Sequence, residues 1–147
     1  MNRINLICLG VRDIARSLAF YKALGFVTYE RDENPPIVFF DNQGSKLELY
    51  PIDKLAEDIS AECPPAPGPG GFSGITLACN MKSEAEVDAL FAVVERCGGR
   101  IAKHPERVFW GGYSGYFQDP DGYHWEVAYG DVWTFDENDM LVIEDGQ

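Results

Sequence analysis

Basic residues are scarce: 12 Lys and Arg stand against 24 Asp and Glu, a formal net charge of −12 over 147 residues. A field of that sign repels phosphate backbones and anionic headgroups, so nucleic-acid and membrane-surface partners are not expected, while neutral and cationic small molecules remain open. Histidine is nearly absent, with only His104 and His124. The four cysteines, Cys8, Cys63, Cys79 and Cys97, have neither CxxC nor zinc-finger spacing. Three of them sit inside apolar strand or helix patterns, which suits buried thiols in a reducing cytosol. No apolar run approaches the ~20 residues of a membrane helix. The stretch from Met1 to Leu6 lacks the apolar core and small-residue cleavage site of a signal peptide, and a cytoplasmic location is expected. A dinucleotide fingerprint is missing too, since Gly68-x-Gly70 neither follows a strand nor opens a helix.

What is present is an ordinary globular composition, 46% hydrophobic, 13% aromatic and 24% charged, in a length that suits one domain with its own core. Ile4 to Val11 reads as a strand. Asp13 then caps a helix carrying Ile14, Leu18 and Tyr21 on one face, and Gly25 ends it. Phe26 to Arg31, Ile37 to Asp41 and Lys46 to Tyr50 follow as short strands between turn residues. The order recurs with a strand from Gly74 to Asn80, a helix from Ser83 to Cys97, and strands over 100–108, 113–118 and 123–129. In the second helix Ser83 and Glu86 form a capping box, Val87, Leu90, Phe91 and Val94 a helical stripe, and Gly98-Gly99 the left-handed stop.

The two halves also match residue for residue. Phe39, Asp41, Gly44 and Glu48 each recur 78 positions later as Phe117, Asp119, Gly122 and Glu126, within the turns Asp41-Asn42-Gln43-Gly44 and Asp119-Pro120-Asp121-Gly122. Such identities at one offset point to duplicated hairpins. The chain divides into a βαβββ module over 4–50, a linker over 51–73, a second βαβββ module over 74–130 and a terminal hairpin over 131–147. The linker holds a short helix from Pro51 to Ile59 and a run rich in proline and glycine. The terminal segment, with Trp133, Phe135, Met140 and Leu141, is too apolar for a free tail and is expected to pack on the domain or a partner chain.

With Leu9-Gly10-Val11-Arg12-Asp13 leading to Phe20-Tyr21-Lys22-Ala23-Leu24-Gly25-Phe26, and with the segment from Gly115 through Asp119-Pro120-Asp121-Gly122 to Val127, the sequence resembles the vicinal oxygen chelate superfamily. That group holds glyoxalase I, extradiol dioxygenases, methylmalonyl-CoA epimerase and the fosfomycin- and bleomycin-resistance proteins. The resemblance covers residues 4 to 130 and implies an α+β fold in which the paired modules form a curled mixed sheet with a cleft, commonly as a homodimer. It does not choose among the superfamily's chemistries. In metal-using members the first and last strands of each module supply one ligand each. Those four positions fall here on Leu6, Gly74, Glu48 and Glu126, so half the ligand set is missing. No cofactor is therefore expected; a divalent metal held by Glu48 and Glu126 is the third-ranked reading.

Strand alternation leaves Glu48, Tyr50, His124 and Glu126 on the face opposite the helix-covered Leu47, Leu49, Trp125 and Val127. Leu6, Cys8, Gly74 and Thr76 are expected to share that face. Two carboxylates make a poor zinc or nickel site, where imidazole and thiolate ligands dominate. As a metal-free pair, Glu48 and Glu126 suit proton abstraction beside a carbonyl; the plain reading is two inherited positions with no chemical task. His124 is either a proton donor or acceptor beside Glu126 or a structural strand residue, and His104 carries less weight. Trp110, Tyr113 and their glycines form either an aromatic rim over a ligand or a bulged strand that fills a gap. Two functions follow for the small-molecule ligand: a metal-independent lyase or isomerase, or a non-catalytic protein that sequesters a cationic aromatic compound as bleomycin-resistance proteins do.

Overall fold

The computed structural model describes residues 1–68 and 70–143. The chain forms two compact units, the first comprising Met1–Ser73 with Pro120–Gly122, the second Gly74–Asp119 and the chain from Tyr123 onward.

In the first unit β1 (Leu6–Val11) leads to α1 (Ile14–Ala23), β2 (Val38–Phe39), β3 (Lys46–Pro51) and α2 (Ile52–Ile59). The sheet order is β1-β3-β2, with β1 parallel and β2 antiparallel to β3. Helix α1 starts where the Asp13 carboxylate accepts from Arg16 N at 2.9 Å. It ends at Gly25, whose φ of 101° lets Phe26 N donate back to Tyr21 O at 3.0 Å. Its buried face carries Leu18, Phe20 and Tyr21, and Tyr21 meets Phe26 and Phe40 at ring-centroid distances of 5.4 and 5.8 Å. Helix α2 packs on the opposite face: a Cβ on Gly10 would lie 3.0 Å from Ile52 Cγ1 and 3.2 Å from Leu55.

One expected strand does not form. Phe26 to Arg31 keeps a strand's alternating exposure but joins no ladder. Its backbone groups are bonded elsewhere: Thr28 Oγ1 accepts from Glu30 N, and the Glu30 carboxylate accepts from Arg31 N and Asp32 N at 2.7 and 2.8 Å. Side chains that capture nearby amides compete with sheet pairing. What remains is Val27 O accepting from Asp41 N, and the Thr28 hydroxyl donating to Phe39 O. The first module is therefore βαββ, and the chain holds a three-stranded and a four-stranded sheet rather than two equal copies.

The second unit runs β4 (Thr76–Met81), α3 (Glu84–Arg96), β5 (Arg100–Arg107), β6 (Tyr113–Gln118) and β7 (His124–Tyr129), in the sheet order β4-β7-β6-β5. Ser83 caps α3 by accepting from Glu86 N at 3.2 Å, while the Glu86 carboxylate reaches Lys82 N at 2.8 Å, one residue before the usual capping-box partner. The stripe of Val87, Phe91 and Val94 is buried against the sheet, where Phe91 meets Phe117 edge-on at 6.1 Å and Phe117 stacks on Trp125 at 6.2 Å. Pro105 is tolerated in β5 because that strand is the sheet's edge. Gly115 is required on β6: a Cβ there would lie 2.7 Å from Phe91 Cζ and 2.8 Å from both Lys103 O and Pro105 N. Beyond β7, Phe135 and Leu141 form one antiparallel bridge, and Lys82 pairs with Asp139; residues 144–147 of the expected hairpin lie outside the described residues.

Candidate functional site

In the first unit the parallel register sets Cys8 opposite Glu48 and Gly10 opposite Tyr50, so these residues share the face away from α1. Glu48 is only 8% exposed, on a strand whose neighbours Leu47 and Leu49 fill the α1 side. Cys8 faces Glu48 across the two strands, and burial first, then the Glu48 charge and its pull on the thiol proton, push the thiol's pKa up to about 11. Cys8 is thus a weak proton donor rather than a nucleophile. Leu6, at the start of β1, is exposed and offers no ligating atom.

In the second unit the register sets Thr76 opposite His124 and Ala78 opposite Glu126. Strand β6 completes the face by setting Tyr116 opposite Glu126 and Gln118 opposite His124. Burial first, then the facing Glu126 carboxylate, raise the Tyr116 phenol's pKa. Gln118 and His124 meet at 2.8 Å between side-chain nitrogens, and Arg100 donates to Gln118 Oε1 at 2.5 Å. Tyr116 and Gln118 are thus part of the site, although neither stands out in the sequence. The signal that identifies them is the tight turn over Pro120 to Gly122, closed by Asp119 N donating to Tyr123 O at 3.0 Å, which fixes the hairpin register.

The other sequence candidates lie elsewhere. Gly74 precedes β4, which begins at Thr76, and its φ of 83° belongs to the connection rather than the strand. Tyr113 shares the helix-covered face with Phe117, where its hydroxyl donates to Asp88 of α3 at 2.8 Å; that bond, then burial, raises its pKa. The Trp110 ring lies on Gly112, where a Cβ would come within 1.8 Å of it, and stacks on Trp133 at 5.5 Å while staying 45% exposed. Trp110 thus packs both on Gly112 within the second module and on Trp133 beyond it. A groove of roughly 340 Å³ opens in the first unit between Leu24, Phe26, Asp41 and Gln43, and none of the candidates lines it.

No group of three or more His, Cys, Asp or Glu side chains able to hold a metal ion occurs among the described residues. The donors at the superfamily's ligand positions do not fit one either. Leu6 and Gly74 have no ligating side-chain atoms, which leaves a single carboxylate in each unit, Glu48 or Glu126.

The model of the Glyoxalase/Bleomycin resistance protein/Dioxygenase superfamily matches residues 3–127. The chain belongs to this superfamily. Among solved structures it is similar to a glyoxalase-related enzyme from Fulvimarina pelagi, at 28% identity and a TM-score of 0.84, covering 97% of this chain and 99% of that one. It is also similar to a lactoylglutathione lyase from Agrobacterium tumefaciens, at 26% identity and a TM-score of 0.65, covering 92% and 99%. A glyoxalase/bleomycin resistance protein/dioxygenase family enzyme from Burkholderia phytofirmans PsJN shares the fold, at 20% identity and a TM-score of 0.71, covering 86% and 98%. No curated protein matches. No helix among the described residues is long and apolar enough to cross a membrane.

Proposed function

We propose that this superfamily member is a metal-independent lyase or isomerase acting on a small carbonyl compound, with Glu48 and Glu126 as its proton-transfer groups. One observation carries the reading: each unit holds a glutamate at the equivalent last-strand position, set opposite a weak acid on the neighbouring strand, Cys8 in one and Tyr116 in the other. A carboxylate so placed can take a proton from the carbon next to a carbonyl while the C–H electron pair moves onto the carbonyl oxygen. A nearby donor steadies that oxygen. Return of the proton to a neighbouring carbon completes an isomerisation; departure of a leaving group completes an elimination. The same reading takes the protein as a homodimer.

The test is proton exchange in D2O followed by NMR with a panel of small α-hydroxy and α-oxo carbonyl compounds. Protein-dependent loss of an α-proton signal that falls at least tenfold in Glu48→Gln or Glu126→Gln supports the reading. No exchange across the panel, or exchange unchanged in both variants, overturns it.

The net charge of −12 and the exposed Trp110, stacked on Trp133, favour a second reading, sequestration of a cationic aromatic compound. Quenching of tryptophan fluorescence together with a raised melting temperature at millimolar ligand supports it. The absence of both removes it.

A further inference from the structure

We infer that Arg100, acting through Gln118, sets the tautomer of the neutral His124 ring, with the proton on Nδ1 and Nε2 as a hydrogen-bond acceptor. A guanidinium can only donate, so the Gln118 atom that meets Arg100 Nε at 2.5 Å must be its carbonyl oxygen. That fixes the amide: its NH2 group is the end lying 2.8 Å from His124 Nε2. An NH2 group cannot accept, so His124 Nε2 must, and the proton of the neutral imidazole sits on Nδ1. Turning the amide over would restore a proton at Nε2 only by setting the Gln118 NH2 group against the Arg100 N–H, losing one bond and opposing two donors.

The geometry holds this chain together from three adjoining elements. Arg100 opens β5 and pairs with Gln118 at the end of β6, and Gln118 pairs with His124 at the start of β7. A solvated histidine side chain favours the Nε2 proton, and the inferred form is the opposite one. Arg100 and Gln118 are therefore positioning residues. Under the proposed function, their effect is that Nε2 is occupied as an acceptor and proton abstraction in this unit falls to Glu126; the tautomer itself does not depend on that activity.

The protein is uniformly labelled with 15N in a His104→Gln background, which leaves His124 as the only histidine, and long-range 1H–15N spectra are recorded at alkaline pH. The expected result is an acceptor-type nitrogen at Nε2 and an N–H nitrogen at Nδ1 as the majority form. In Gln118→Glu, a near-isosteric change that supplies only acceptors, the majority proton moves to Nε2. Gln118→Leu gives the same reversal by removing the donor. A majority Nε2 proton in the His104→Gln protein, or a tautomer that neither Gln118 variant changes, overturns the inference. Either result is read without a substrate, so it stands or falls separately from the exchange assay.

Discussion

Asp121→Ala is expected to destabilise the first unit by about 2–4 kcal/mol, although the residue lies more than a hundred positions from its partners. Asp121 Oδ1 accepts from Arg12 N at 2.8 Å, and Oδ2 accepts from the Ser17 hydroxyl at 2.8 Å. Losing a hydrogen bond to a charged group costs about 1.5–3 kcal/mol, and a buried polar group left unpaired costs about 1–3 kcal/mol. The Arg12 amide is exposed and can turn to water, so its share is small. Ser17 is 0% exposed and cannot, so the larger share is its stranded hydroxyl. The Arg12 guanidinium, 3.7 Å away on a side chain 60% exposed, adds little. For a chain of this length each kcal/mol moves Tm by about 2–4 °C, so Tm falls by roughly 5–15 °C. Asp121→Asn keeps an acceptor for Arg12 N and sets its NH2 group against a hydroxyl that can accept, so it costs only about 1 kcal/mol. Denaturant unfolding of Asp121→Ala, Ser17→Ala and the double variant checks the assignment, because the coupling between the two sites should exceed ~1 kcal/mol. A loss below ~0.5 kcal/mol in Asp121→Ala, or additive single effects, refutes it.

Three further outcomes are expected. Gly115→Ala drives a methyl into Phe91 and into the backbone at Lys103 and Pro105, none of which can retreat cheaply; overpacking of this kind costs about 1–3 kcal/mol, readable as a lowered urea midpoint with an unchanged m-value. With its pKa near 11 rather than 9.0, the Cys8 thiol at pH 8 is about a hundredfold poorer in thiolate than an unperturbed one, so iodoacetamide labels exposed Cys63 first and Glu48→Gln speeds labelling at Cys8. The same shift has a sign for stability: the folded state keeps the proton to about pH 11 while the unfolded chain releases it near 9.0, so this contribution is intact below about pH 9 and is lost as pH rises toward 11.

The helices were legible because each rests on local chemistry, whereas the 78-residue offset between the hairpins does not hold in register: Phe39 lies opposite Glu48, but Phe117 lies opposite Trp125. Asp13 and Ser83 do cap α1 and α3, and Gly25 and Gly98 do take the left-handed conformation that ends them. Alternation likewise found the carboxylate-bearing faces, since Glu48 and Glu126 each lie one residue from buried strand neighbours. Three features were beyond local reading. The stretch from Phe26 to Arg31 has strand periodicity, yet Thr28 and Glu30 capture amides at its end and it joins no ladder. The parity of β6 puts Tyr113 on the α3 side and brings Tyr116 and Gln118 to Glu126 and His124, which depends on the exact turn closure. Trp110 finds Trp133 after the last strand, a pairing that no spacing announces.

The central claim, that the glutamates act as proton carriers rather than as metal ligands, is tested most directly by elemental analysis of protein made without an affinity tag and purified without chelator. The quantity is moles of Ni, Zn, Mn, Fe and Mg per chain. The account predicts values far below one equivalent for every metal, unchanged in Glu48→Ala and Glu126→Ala. Metal near one equivalent that disappears in either variant would contradict it and return both carboxylates to Lewis-acid chemistry.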